Sequence, residues 1–383
     1  MLWLFGSDKT LAIGVAGARM GEADLQKNNR IMPDKTILSH IMAERATDEL
    51  RRQIGIVVQS DRSMAAFPVE FLHEEILTAF QSLPSVNLLL TAARAQSLGM
   101  EIPAKTVRIR AGELSLSQLQ ALADPLAQGE RPKVNAAAAA DNQHRLLQLA
   151  KYASLLPALL VAESDAPTFM PHWLRISGDA IRDYIDNPLI DSIETSHAAL
   201  PLEGMEHTRI ASFRSRYSTN VHLALIIGEP DTTAPLTRIH SSCITGDILG
   251  SLRCDCGDQL KMALQQISEA GSGILIYLHQ EGRGIGITNK LRAYRLQEQG
   301  VDTYDANLML GFEEDERDFS IAASILKKLG VSRIRLLTNN PHKLAALEKA
   351  GITVTERIGL IAPSGRHNHA YLETKARKSG HLF

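Results

Sequence analysis

Cys243, Cys254 and Cys256 are the only cysteines in 383 residues, and all three fall within one stretch of 14. Thiolates are soft ligands that suit zinc. Three protein ligands are one short of a closed tetrahedral site. The open position is where a catalytic zinc keeps a water, whose pKa falls to about 7. Two other readings use the same residues: a structural zinc closed by a nearby histidine such as His240, and three reduced thiols with no metal. An odd, sparse cysteine count argues against a disulfide scaffold and for a reducing, cytoplasmic setting.

Three further segments have residue types that hold anions or move protons. Glu281-Gly-Arg-Gly-Ile-Gly286 is glycine-rich, so its backbone can approach phosphate at the start of a helix, although such a run also serves as a simple turn. Thr338-Asn-Asn-Pro-His-Lys343 offers a hydroxyl and a lysine at a second strand-to-helix junction, or plain helix capping. Asp315-Glu-Arg-Asp318 reads as a solvated acidic helix start. Beside a metal-dependent hydrolase site, Asp315 becomes a general base and Arg317 a phosphate clamp.

These segments need α/β elements to position them. Gly273–Leu278 reads as a buried strand, residues 289–299 as a helix stopped by Gly300, and residues 318–329 as a helix stopped by Gly330. Ile334–Thr338 is a strand leading into a helix with Pro341 at its first position, ending at Gly351. Upstream, residues 37–52, 68–82 and 115–123 carry helical spacing, Ser115 being an N-cap, while residues 54–58, 86–90 and 107–110 read as strands. Gly129–Lys133 and the alanines 136–140 form a linker, followed by a bridging or packing helix from Gln143; residues 159–162 and 173–176 are short strands. The expected organisation is α/β (α+β) in two domains, the C-terminal one a mixed sheet with flanking helices. Residues 1–34 form a poorly specified leader, 35–196 a first domain with its linker helix, and 197–383 a second domain.

The net charge is 41 − 43 = −2. No overall basic field recruits nucleic acid, so an anionic ligand must be held by a local site. No apolar run reaches the roughly 20 residues that span a membrane.

The stretch His240-Ser-Ser-Cys-Ile-Thr-Gly-Asp-Ile-Leu-Gly-Ser-Leu-Arg-Cys-Asp-Cys-Gly257 resembles GTP cyclohydrolase II of riboflavin biosynthesis. So do Gln280–Gly286, Asn289–Tyr294 and Thr338–Pro341, in the family's order, with the likeness running on to Gly380-His-Leu382. The resemblance implies that GTP is the substrate and that its imidazole ring is opened. Formate and diphosphate leave, giving a diaminopyrimidinone phosphoribosyl product, the first step of riboflavin biosynthesis. It implies one zinc per subunit on Cys243, Cys254 and Cys256, magnesium with the phosphates, and a homodimer. Tyr294 assists ring opening, Asp315 accepts a proton, and Arg317 matches the residue assigned as nucleophile toward the α-phosphate. Because a guanidinium stays protonated, chemistry favours a clamp on the departing diphosphate instead. GTP contacts carry over to Arg238, Ile239, His240, Ser241, Ser242, Gln259, Glu281, Gly282, Arg283, Thr303, Thr338 and Lys343. Ser242 departs from the glutamate that many members carry.

Glu44–Arg52, Ile54–Val58 and Asp61-Arg62 resemble the start of a 3,4-dihydroxy-2-butanone 4-phosphate synthase domain. There the family needs carboxylates after Asp-Arg, and Ser63-Met-Ala-Ala-Phe67 supplies none. The expectation is a degenerate, silent domain serving dimerisation or support. Two alternatives are a bifunctional enzyme that recruits Glu70 or Glu74, and a non-catalytic nucleotide-binding relative.

Overall fold

Leu88, Leu89 and Leu90 are all fully buried, yet Leu88 and Leu90 belong to one apolar cluster and Leu89 to another. That alternation makes their strand the centre of a sheet covered on both faces. The computed structural model describes residues 34–163, 170–188, 191–215, 218–231 and 233–360. The expected leader, apart from Asp34, and the Gly380–Leu382 motif lie outside the described residues.

The first domain runs α1 (Lys35–Arg51), β1 (Ile56–Gln59), β2 (Met64–Pro68), α2 (Glu74–Gln81), β3 (Asn87–Thr91), α3 (Ala92–Ser97), β4 (Thr106–Arg110) and α4 (Leu116–Ala123). It continues with β5 (Ala136–Ala138), α5 (Asp141–Tyr152), β6 (Ala158–Glu163), β7 (Leu174–Ser177) and α6 (Gly178–Asp186). Its sheet has the order β5-β4-β3-β6-β2-β1-β7 and is antiparallel except where β1 meets β7. Helices α1, α5 and α6 cover one face, and α2, α3 and α4 the other. Ser115 caps α4 in a capping box with Gln118. Part of the alanine run forms the edge strand β5 rather than linker, pairing with Val107–Ile109.

The second domain runs β8 (Ile193–Ala199), β9 (Thr208–Arg214), β10 (Val221–Ile227), β11 (Leu236–Ser241), α7 (Cys256–Glu269), β12 (Gly273–Leu278) and α8 (Gly286–Glu298). It ends with α9 (Thr303–Met309), α10 (Ser320–Lys328), β13 (Arg333–Leu337), α11 (Pro341–Lys349) and β14 (Thr353–Ile358). The order is β14-β13-β11-β12-β10-β9-β8. Strands β12, β11, β13 and β14 run parallel, and β8, β9 and β10 complete the sheet antiparallel. This sheet starts at Ile193, ahead of His197.

From β11 the chain crosses to β12 on one side and later returns to β13 on the other. Open α/β sheets bind ligands outside the carboxyl ends of strands at such a switch point. The cysteine loop, the glycine loop and Thr338-Asn-Asn all follow those strand ends. The two domains share an apolar cluster that joins Leu126 and Leu156 to Ile285, Leu296 and Phe312. Buried Arg94 donates to the carbonyls of Leu122, Ala121 and Met309, and Thr91 donates to that of Gly311.

Candidate active site

Beyond β11 the chain makes a short helical turn, Ile244–Ile248, and returns to the start of α7 at Cys256. This turn brings the three cysteines together, their Sγ atoms all within 4.8 Å of one another. Cys243 and Cys254 are 3.6 Å apart. Two ligands of a tetrahedral zinc with Zn–S of about 2.3 Å would stand about 3.8 Å apart, so donor type and spacing both fit zinc. Gly246 makes the convergence possible, since a Cβ there would lie 2.6 Å from Cys254 Sγ.

Hydrogen bonds from the Cys254 and Cys256 thiols, joined by the Lys290 ammonium, hold Cys243 far below the usual thiol range. The same bond to Cys243 pushes Cys254 up. Lys290 Nζ donates to Cys243 Sγ at 3.0 Å, to Thr245 at 2.7 Å and to Glu281 at 2.8 Å. Burial works against its charge, but the bonds to Cys243 and Glu281 outweigh burial and raise its pKa.

His240 does not close the cysteine site. Its Nε2 lies 3.1 Å from both oxygens of Asp247, which also accepts from the Cys243 N–H and the Tyr277 hydroxyl. A carboxylate only accepts, so Nε2 carries the proton and Nδ1 presents a lone pair. Among the described residues, His240 Nδ1, Arg238 Nε and Ser241 Oγ are buried without a hydrogen-bond partner. Burying such atoms is costly unless something else satisfies them. All three residues lie along β11 and line a cavity of about 450 Å³.

That cavity is also lined by Cys243, Cys254, Cys256, Ser242, Gln259, Gly282, Arg283, Tyr294, Thr303, Arg317, Thr338 and Lys343. Six basic side chains line it: Arg238, Arg253, Arg283, Lys290, Arg317 and Lys343. In a chain of net charge −2, this is the local site that an anion requires. Lys343 is pinned 2.9 Å from the Ile239 carbonyl, and its pKa is driven well down by burial and then by Arg238 and Arg317. Burial also lowers Arg238, to about 10. Residues 281–284 form a short turn in which Arg283 itself sits at φ 60°. That conformation costs a side-chain-bearing residue about 1–2 kcal/mol, and strain of this kind clusters at functional sites.

Three expected residues reach the site differently. Ile239 has its side chain in the core, and only its carbonyl serves the site. Glu281 accepts from the Ile244 N–H at 2.7 Å as well as from Lys290, tying the glycine loop to the cysteine loop. Asp315 holds Arg317 through two bonds of 2.7 and 2.5 Å. Burial acts to raise Asp315, but Arg317 and Arg283 overcome it and hold the carboxyl below its usual range.

Gln259 is fixed between Arg238 and Asp255. Ser242 Oγ accepts the Gln280 N–H at 3.2 Å, bracing the loop after β12. The junction after β13 is capped too: Asn340 accepts from the His342 N–H, and Thr338 accepts from Asn340. Tyr294 lies under Arg253, 5.3 Å from guanidinium carbon to ring centre, and burial raises its hydroxyl pKa. Sequence reasoning missed Asp247 and Lys290. A carboxylate four residues after Cys243 and a lysine in the helix after the glycine loop were the signals available.

A family profile described as GTP cyclohydrolase II matches residues 193–359. The chain is 40% identical over 359 residues to a GTP cyclohydrolase-2 of Azospirillum brasilense, covering 89% of this chain and 93% of that one. It is 55% identical over 176 residues to a GTP cyclohydrolase-2 of Histophilus somni, covering 46% of this chain and 82% of the relative. A structure of RibBX, a two-domain 3,4-dihydroxy-2-butanone 4-phosphate synthase from A. baumannii, aligns with 84% of this chain and 99% of that one. The two are 16% identical, with a TM-score of 0.32.

Proposed function

The chain belongs to the GTP cyclohydrolase II family, and from that premise we propose that it opens the imidazole ring of GTP with zinc, releasing formate and diphosphate. The diaminopyrimidinone phosphoribosyl product enters riboflavin biosynthesis. The observation that carries this reading is the cavity itself, where three convergent thiols, a ring of cations and unsatisfied buried polar atoms face one space. Cys243, Cys254 and Cys256 would hold the zinc, with Lys290 stabilising the Cys243 thiolate. When bound, zinc supplies a Lewis acid that acidifies a water ligand to a pKa of about 7.

The remaining steps fall to the chain's own residues. His240, with Nε2 committed to Asp247, accepts a hydrogen bond at Nδ1. Arg238 and Ser241 offer their unpartnered atoms to the nucleotide. Tyr294 keeps its proton at neutral pH and can donate it during ring opening. Arg283, Arg317 and Lys343 meet the triphosphate, joined by magnesium. Asp315, ionised under Arg317, accepts a proton. Arg317 clamps the leaving diphosphate, because a guanidinium is a hydrogen-bond donor and a poor nucleophile, and its bidentate bond to Asp315 fixes where it points.

A homodimer is part of the proposal. Ile248, Leu249 and Leu252 are about 70% exposed beside the cysteine loop, with Ile287 and Leu291 on the neighbouring helix face. A cytoplasmic setting keeps the thiols reduced. Among the described residues no helix is long and apolar enough to cross a membrane.

The first domain is read as catalytically silent. Glu70, which a bifunctional enzyme would recruit, already accepts from the Leu156 N–H at 2.9 Å and from Arg292 at 3.3 Å. Glu74 sits in the first turn of α2.

Cys254→Ser tests the metal assignment. The variant is expected to lose bound zinc and formate release together; stoichiometric zinc with unchanged formate release contradicts the assignment.

A further inference from the structure

Helix α5 of the first domain ends against the catalytic loops of the second. Lys151, in its last turn and 7% exposed, lies 2.5 Å from Glu316 Oε1. Glu316 is the residue between Asp315 and Arg317. Its N–H donates to the Arg283 carbonyl at 3.0 Å, and its own carbonyl fills the place where a Cβ on Gly284 would lie only 2.7 Å away. Glu316 therefore touches both the loop that carries Arg283 and the pair that carries the proton acceptor.

Three residues on, the Ser154 carbonyl accepts from Asn289 at 2.8 Å. Asn289 is fully buried and immediately precedes Lys290. A Cβ on Gly286 would meet Ser154 Cβ at 2.8 Å, so the glycine leaves room for the first domain. Leu156 completes the insertion among Ile285, Ala293 and Phe312.

We propose that Lys151–Leu156 is a brace built into the cyclohydrolase site by the first domain, and that Lys151 is a positioning residue acting through Glu316. The inference rests on the function proposed above and gives the first domain a role in it. Its logic is charge selection. Arg317 is flanked along the chain by three carboxylates, Asp315, Glu316 and Asp318, of which Asp318 accepts from the Ser320 N–H and hydroxyl. Lys151 occupies Glu316 on the domain-interface side and leaves Arg317 bidentate on Asp315, facing the cavity. Without Lys151, the Glu316 carboxylate keeps the Glu313 N–H at 2.8 Å but loses its cation, so it competes for Arg317 and the Asp315–Arg317 geometry is lost.

The test uses the full chain loaded with zinc. Lys151→Met is expected to keep one zinc per chain but to lower kcat for diphosphate release about tenfold or more. Hydrogen exchange should rise across residues 313–318. Lys151→Arg should restore the rate. Adding Glu316→Gln to Lys151→Met should recover much of it, because the competing charge is gone, and the acid limb of the kcat–pH profile, moved to higher pH in Lys151→Met as Asp315 loses Arg317, should return with it; a merely structural role does not move that limb. If the Met variant does not fold, Lys151→Gln replaces it with the same expectation. Wild-type kcat and KM in the Lys151 variant overturn the proposal, and so does a slow variant that Glu316→Gln fails to rescue. If the wild-type chain releases no diphosphate, the functional reading fails; unchanged exchange at 313–318 in Lys151→Met then overturns the brace by itself.

Discussion

Replacing Gly246 by alanine adds one methyl group at the place where the metal site can least accept it. The added Cβ would lie 2.6 Å from Cys254 Sγ, 3.1 Å from Cys256 Cβ and 3.2 Å from Cys243 Sγ. Ordinary contact begins at 3.4 Å, so the Cys254 sulfur or the turn must move by at least 3.4 − 2.6 = 0.8 Å. Metal–ligand distances tolerate only about 0.2 Å. The turn cannot easily retreat, because Gly257 packs against it: a Cβ on Gly257 would lie 2.3 Å from the Gly246 carbonyl. The displacement therefore falls on the thiols. Loss of ligand positioning typically costs 10–100-fold in metal affinity, or about 1.4–2.7 kcal/mol. Competition with a chromophoric zinc chelator should show a shift of at least that size. Formate release at limiting zinc should fall in parallel, while circular dichroism stays unchanged. Wild-type zinc affinity with wild-type formate release in Gly246→Ala would refute the geometric argument for the triad.

Three other perturbations have defined outcomes. Asp247→Asn replaces one of two acceptor oxygens by an amide donor, so the Cys243 N–H, the Tyr277 hydroxyl and His240 Nε2 compete for the oxygen that remains; zinc affinity or formate release should fall about 10–100-fold in the same two assays. Arg317→Ala leaves burial of Asp315 opposed by Arg283 and the residue-317 N–H but no longer by the guanidinium, so the Asp315 pKa rises. The acid limb of the kcat–pH profile should then move to higher pH, and an unmoved limb would remove Asp315 as proton acceptor. Arg292→Ala strands the buried Glu70 carboxylate at the domain interface and should destabilise the chain by about 1–3 kcal/mol in urea unfolding.

Local chemistry made much of this protein legible in its sequence. Gly273–Leu278 is a strand at the bounds its apolar run gives, Pro341 starts a helix at N1, and the three cysteines converge. These features depend on residues close together in the chain. Ala136–Ala140 was less readable, because small residues carry no pattern and the edge strand exists only by pairing with β4. Ile239 shows another limit: a family resemblance cannot tell a side chain at a site from a backbone carbonyl that serves it. Asp247, Lys290 and Lys151 act through partners 4 to 165 positions away, and no single segment announces such pairings.

The most direct measurement incubates the purified, zinc-loaded chain with GTP and magnesium and follows formate, diphosphate and diaminopyrimidine absorbance together. The account predicts that all three appear in equal amounts. Diphosphate without formate would contradict the role of the cysteine site in ring opening, and no product from GTP that still binds would contradict the reaction as a whole.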